Sequence, residues 1–184
     1  MATVYQDIHR EIIELSKAGN SRAQYQLYQL YAKAMFNISY RMMNSREEAE
    51  DMLQESFTEA FTRLDTFRYE SSFGAWIKRI VVNRCINELK RRKANLVLTE
   101  NIPEHDDRGE EEDDLETTKL KVKDVIKAME MLPEGYRVIF SLYLLEGYDH
   151  AEIAQIMGIT ESTSKSQFSR AKQRVKELLK TTIS

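Results

Sequence analysis

Lys165, Ser166, Ser169 and Arg170 fall at helical spacing on one segment, and their types are those that meet nucleic acid. Arginine and lysine suit guanine acceptors and phosphate oxygens, and serine can contact either. The surrounding chain supplies a mount. Asp149 can cap a short helix through Met157, with Glu152 as the capping-box acid. Gly158 turns the chain, and Thr160 caps a second helix that runs to about Lys180. This pattern, over residues 149–174, is that of a helix-turn-helix, whose second helix enters the major groove by its N-terminal residues. Ile153, Ala154, Ile156, Ile159 and Phe168 are its expected core. A basic helix alone is more often a solvated face, and it is the preceding helix, turn and cap that reverse that preference. A bare helix-turn-helix serves a repressor and a polymerase subunit equally well.

A second constellation lies in the other half. Asp51, Gln54 and Glu55 are three and four residues apart, so a helix would put them on one face able to pair with a basic partner. The plain alternative is an ordinary solvated face. Enzyme chemistry has little to stand on. There is no Gly-rich phosphate loop, no nucleophile with a histidine partner, and the three histidines have no metal-ligand spacing, so neither cofactor nor metal is expected. The lone Cys85 excludes an intramolecular disulfide framework. A formal net charge of −3 means that any DNA binding must be local. Residues 1–7 lack a basic flank followed by an apolar stretch, and no apolar run approaches the ~20 residues of a membrane span, so a cytosolic protein is expected.

These residues need helices to hold them. With 42% hydrophobic and 31% charged residues, six Gly and two Pro in 184, the chain is expected to be globular and all-α, with long helices. Ile8, Ile12 and Leu15 mark a first helix, stopped at Gly19 and Asn20. A second is expected over 21–43, with Leu27, Leu30, Tyr31, Met35, Ile38 and Met42 as apolar positions. Ser45 and Glu48 form a capping-box pair for a third, running to about residue 64 and burying Met52, Phe57, Ala60, Phe61 and Leu64. After a loop ending at Ser71 and Ser72, a fourth helix is expected over 73–92, using Trp76 or Phe73 with Ile77, Ile80, Val81 and Leu89.

Composition then changes. Between residues 104 and 116 nine acidic side chains face only Arg108, a density that repels itself and cannot pack. Residues 94–116 are therefore expected to be a flexible acidic linker between a domain at 1–93 and a helix-turn-helix domain at 117–184. A helix containing Leu120, Val125, Ile126 and Met129 should end before Pro133, and another should run from about 134 to 145. Nothing alternates long enough for a sheet.

Two stretches carry a family resemblance. The run EAEDMLQESF at 48–57 and the run LDTFRYESSFGAWI at 64–77 resemble region two of extracytoplasmic-function sigma factors. The run LPEGYRVIF at 132–140, with Gly147, Glu152-Ile153-Ala154 and Lys165-Ser166, is similar to their region four. The order is right, and an acidic segment separates the two.

The resemblance implies a subunit that binds core RNA polymerase, recognises minus-ten and minus-thirty-five promoter elements and starts transcription. It implies that Asp51, Gln54 and Glu55 dock on the clamp coiled coil of the largest polymerase subunit. It implies that Phe67 and Asn83 hold an extruded base of the melted minus-ten strand, within surroundings formed by Ser71, Ser72, Trp76, Lys78 and Arg79. Stacking on an aromatic is worth about 1–3 kcal/mol per base, against a few kcal/mol to unstack it. Opening a longer stretch then needs backbone contacts, for which Lys78, Arg79 and Arg84 are suited, and the polymerase itself. Trp76 reads equally as a core residue beside Phe73 and Ile80.

For the minus-thirty-five duplex the implied contacts are Lys165, Ser166, Ser169 and Arg170, and an anti-sigma protein is implied as a further partner. Two positions depart from the family pattern. Ser164 stands where an apolar residue is usual, which weakens a staple with Ile159, and Gln167 replaces a frequent basic residue. The competing reading is a stand-alone helix-turn-helix regulator whose N-terminal helices dimerise or bind a ligand. Such a protein would have no use for Asp51, Gln54 and Glu55 or for the 67–76 loop.

Overall fold

A computed structural model describes residues 7–96 and 122–183. Among them the chain forms α1 (Arg10–Lys17), α2 (Ser21–Met43), α3 (Arg46–Thr62), a 3-10 turn (Leu64–Thr66), α4 (Phe73–Leu96), α5 (Val122–Glu130), α6 (Glu134–Leu144), α7 (His150–Met157) and α8 (Glu161–Ile183), with no strand. The all-α expectation therefore holds. The fourth helix runs to Leu96, past the expected end at 92, while the acidic run 104–116 and Leu120 lie outside the described residues.

In the first half α2 is central, packed by α1, α3 and α4. Its start is fixed by the Asn20 side chain, which accepts a hydrogen bond from Ala23 N, and its end by Asn44 in the left-handed region at φ 54°. Asparagine tolerates that conformation better than most residues because its short amide can bond locally. Ser45 caps α3 by accepting from Glu48 N, as expected, while the Glu48 carboxylate pairs with Arg92 of α4 at 2.8 Å. Helix α1 is rotated relative to the expected face. Ile8 is 90% exposed and precedes the helix, and Ile13 and Ser16 are the buried positions. The lead-in is set by Asp7, whose buried carboxylate accepts from both His9 N and Phe73 N. Leu30 of α2 likewise faces out, at 48% exposure.

Helix α4 is the wall of this half. Phe73, Ile77, Val81, Val82 and Cys85 are all fully buried. Removing each large apolar side chain from water contributes roughly 1.5–3 kcal/mol. Gly74 lets α4 approach α2, since a Cβ there would come within 3.1 Å of the Tyr31 ring.

In the second half α8 packs against α5, α6 and α7. The capping box of Asp149 and Glu152 forms in both directions, Gly158 takes φ 70° to end α7, and Thr160 Oγ1 accepts from Thr163 N to start α8. Ser164, the departure from an apolar residue, is fully buried, with its Oγ 2.9 Å from His150 Nδ1. The His150 ring stacks on Tyr143 at 4.5 Å and meets Phe168 edge-on at 5.6 Å. A polar bond between α7 and α8 thus stands at the position where the family usually has an apolar residue.

The halves touch where α6 lies at the C-terminal end of α2. Arg137, only 6% exposed, donates to the carbonyls of Arg41 (3.1 Å), Met42 (3.3 Å) and Leu132 (3.2 Å). The last carbonyls of a helix carry partial negative charge and lack intrahelical donors, so a guanidinium placed there satisfies both needs. Arg41 also pairs with Glu146.

Burial pushes the Cys85 thiol up to about 12, so it has almost no thiolate at neutral pH. Alkylation of the native chain should therefore be far slower than in denaturant, and labelling at equal rates in both would contradict this packing. Burial, helped by nearby Lys165, holds His150 below its ordinary 6.5. As the pH falls the unfolded chain then takes up the proton first, so this site's stabilisation is complete above 6.5 and is lost as the pH drops through the lowered value. Thermal melts across that range should show a fall in midpoint on the acid side that His150→Gln flattens.

Candidate polymerase and nucleic-acid interfaces

Asp51, Gln54 and Glu55 are exposed on the same face of α3. The buried alternation beneath them, Ala49, Met52, Leu53, Ser56 and Phe57, leaves that face no other direction. Glu55 reaches Arg84 of α4 at 3.2 Å, and Arg84 also holds Glu59 at 2.6 Å. Burial alone would raise the Glu59 carboxyl. Hydrogen bonds from Arg84 and Arg63 outweigh that and hold it below the usual carboxylate range. Arg84 is thus paired with two α3 carboxylates while its side chain also lines the neighbouring groove.

Beside this face a polar groove runs between α3 and α4. From α4 it is lined by Trp76, Arg79, Ile80, Asn83, Arg84 and Asn87, and from the end of α3 by Glu59 and the following Arg63. Trp76, Arg79 and Asn83 therefore come together at helical spacing along one strip. The Trp76 ring packs on Phe67 (5.3 Å) and Phe73 (5.7 Å), and the half-buried residue also lines the groove.

Other expected members stand elsewhere. Phe67 is 2% exposed, enclosed by Tyr69, Phe73 and Trp76, so in this structure its ring is a floor and not an open stacking platform. Ser72 caps α4 by accepting from Ala75 N, and Ser71 Oγ donates to the Ser72 carbonyl. Lys78 points toward the second half, where its Nζ donates to the Glu146 carbonyl at 2.9 Å and lies 5.2 Å from the Tyr148 ring centre. It does not line the groove.

On α8, Lys165, Ser166 and Ser169 are exposed and Arg170 is half-exposed. Phe168, Ala171 and Val175 are buried on the opposite side, so the four outward residues form one strip. Lys165 pairs with Glu161 at 2.7 Å, a surface pair of the kind that exchanges readily for phosphate. Gln167, the other departure, is half-buried.

Three residues with a part in this geometry were missed from sequence. Asn87 was legible, since it continues the Asn83 strip by one helical turn. Arg137 and Tyr69 were not, because their contacts come from distant segments. No group of three or more His, Cys, Asp or Glu among the described residues is arranged to hold a metal.

Comparison with known proteins places this geometry. The family profile described as sigma-70 region 2 matches residues 27–95, and that described as sigma-70, region 4 matches residues 123–175. A sigma factor named SigM of the extracytoplasmic-function group from Mycobacterium tuberculosis is 29% identical over 171 residues, covering 92% of this chain and 83% of its own. The RNA polymerase sigma-H factor of Pseudomonas aeruginosa is 28% identical over 188 residues, covering 97% of this chain and 96% of its own. Among solved structures, the sigma factor RpoE from Bartonella quintana, in complex with the anti-sigma factor NepR, superposes with a TM-score of 0.55 at 25% identity, over 85% of this chain and 96% of that one. CnrH, solved with the cytosolic domain of CnrY, shares the fold with a TM-score of 0.54 at 23% identity, over 94% and 97% of the two chains. A stand-alone regulator is not favoured, because the region-two match takes in the α3 face and the α3–α4 groove together. The chain belongs to the extracytoplasmic-function sigma factors, the non-enzymatic subunits that bring core RNA polymerase to its promoters and start transcription.

Proposed function

We propose a division of labour among the residues of this sigma factor. The α3 face of Asp51, Gln54 and Glu55 docks on the basic clamp coiled coil of the largest polymerase subunit. The groove of Trp76, Arg79 and Asn83 takes the melted minus-ten strand, with Phe67 bracing Trp76 from below and Ser71 and Ser72 at the groove's approach. Lys165, Ser166, Ser169 and Arg170 read the minus-thirty-five duplex from α8. Residues 1–93 and 117–184 act as separate domains, joined by the acidic segment 94–116.

One observation carries this reading: the candidate polymerase face and the candidate base groove share a wall, because Arg84 is bonded to Glu55 on one side and lines the groove on the other. Seating α3 on the polymerase would therefore set the position of the groove relative to the enzyme's own DNA channel. The groove's polarity fits a single strand, with a half-buried indole for stacking and amide and guanidinium groups for base edges and phosphate. The work of the protein lies in the cytoplasm, where its polymerase is. Among the described residues no helix is long and apolar enough to cross a membrane. An anti-sigma protein is the proposed inhibitor, supported by the complex in which the RpoE relative was solved.

Asp51→Lys combined with Glu55→Lys should abolish co-purification with core polymerase while leaving the helical spectrum intact, with a small fall in melting midpoint from the lost Glu55–Arg84 pair. Asn83→Ala should keep full assembly yet weaken strand opening, read as permanganate reactivity of minus-ten thymines. Undiminished polymerase binding by the double variant would remove α3 as the docking face.

A further inference from the structure

We infer that α1 is a positioning device for the loop before α4, and that Tyr69 is the residue through which it acts. This rests on the reading of that loop and the adjoining groove as the minus-ten site. The loop, residues 67–72, is gripped at three points by one short helix and its lead-in. At the near end, Lys17 Nζ donates to the Phe67 carbonyl at 2.9 Å. At the far end, the buried Asp7 carboxylate accepts from Phe73 N at 2.7 Å.

In the middle, Tyr69 is buried, with its hydroxyl donating to Glu14 Oε1 at 2.5 Å. Its ring lies 4.3 Å from the Arg10 guanidinium and 4.7 Å from Lys17 Nζ. That hydrogen bond is also the largest influence lowering the Glu14 carboxyl. Cations over a ring face are held by its quadrupole, so the four side chains brace one another.

The backbone shows what this grip does. Tyr69 sits at φ 57°, the left-handed region, which a bulky residue adopts only when its surroundings over-determine it. No glycine relieves the turn, so the ring contacts must hold it. The consequence is an alternation: Phe67 and Tyr69 point inward, while Arg68 and Glu70 point out and Ser71 and Ser72 are half-exposed. Released from α1, the residue at 69 would relax toward negative φ, and the outward side chains would lose their fixed directions. Arg10, Glu14, Lys17 and Tyr69 therefore act on base selection through the loop without touching DNA.

The test has two readouts that separate the clamp from its consequence. In the free full-length chain, Tyr69→Ala and Lys17→Met should raise amide exchange across 68–72 and speed tryptic cleavage after Arg68, while Tyr69→Phe, which keeps the ring, should do so less. Unchanged exchange and cleavage would overturn the clamp whatever the loop's role. Holoenzymes reconstituted with the same variants are then run on templates carrying each single-base change across the minus-ten element, with the minus-thirty-five element fixed. Discrimination at the base nearest the loop should fall about tenfold, the low end of what one well-placed base contact is worth. Core affinity and the response to minus-thirty-five changes should stay as in the wild type, which a general loss of structure would not allow.

Glu14→Gln, at a half-exposed side chain, gives the same test in a variant that keeps its fold should Tyr69→Ala not. A loosened loop with an unaltered minus-ten ranking would overturn the positioning role. A wild-type holoenzyme with no minus-ten preference would strike the reading of the loop itself, and exchange would still decide the clamp.

Discussion

Burial of one side of α4 is the constraint on which the rest depends. Phe73, Ile77, Val81 and Cys85 recur every four residues and are fully enclosed, which fixes the rotation of the helix about its axis. With that rotation set, Trp76, Arg79, Asn83 and Asn87 have one direction left, into the groove beside α3. The chemistry of the exposed strip is thus a consequence of the apolar strip behind it. Arg84 then ties the two helices together at the boundary between the groove and the acidic face of α3.

The second half applies the same economy to a smaller core. Ile153 and Phe168 are buried between α7 and α8, and the capped ends of both helices set the turn between them. The bond between His150 and Ser164 adds a polar tie across that turn. A hydroxyl there gives up some apolar burial and gains directionality, since a hydrogen bond holds only one relative position of the two helices. The angle at which α8 is presented is what a major-groove reader must control.

Most of the helices and nearly all of the caps were legible because they are written locally. Ser45, Asp149, Gly158 and Thr160 each act within four residues of themselves. The face of α3 was legible for the same reason. What was not legible depends on long-range contact. The burial of Phe67, the turn of Lys78 toward Glu146, the commitment of Arg84 to two glutamates and the capping of α2 by Arg137 all join segments far apart in the chain. The one-residue offset in α1 has a similar origin, since Asp7 is drawn in by Phe73 N and carries the start of the helix with it. Sequence patterning located the helices, and tertiary packing decided which of their side chains remain exposed.

If the proposed division of labour holds, the α3–α4 groove should grip DNA when the chain is seated on the polymerase and hardly at all when it is free. Anisotropy of a labelled non-template strand carrying the minus-ten element, and of the matching promoter duplex, measured with the free chain and with holoenzyme at one salt concentration, tests this most directly. Strong binding of the strand by holoenzyme, with the duplex left unbound by the free chain, is the expected result. Tight binding of the duplex by the free chain, unimproved by polymerase, would contradict it.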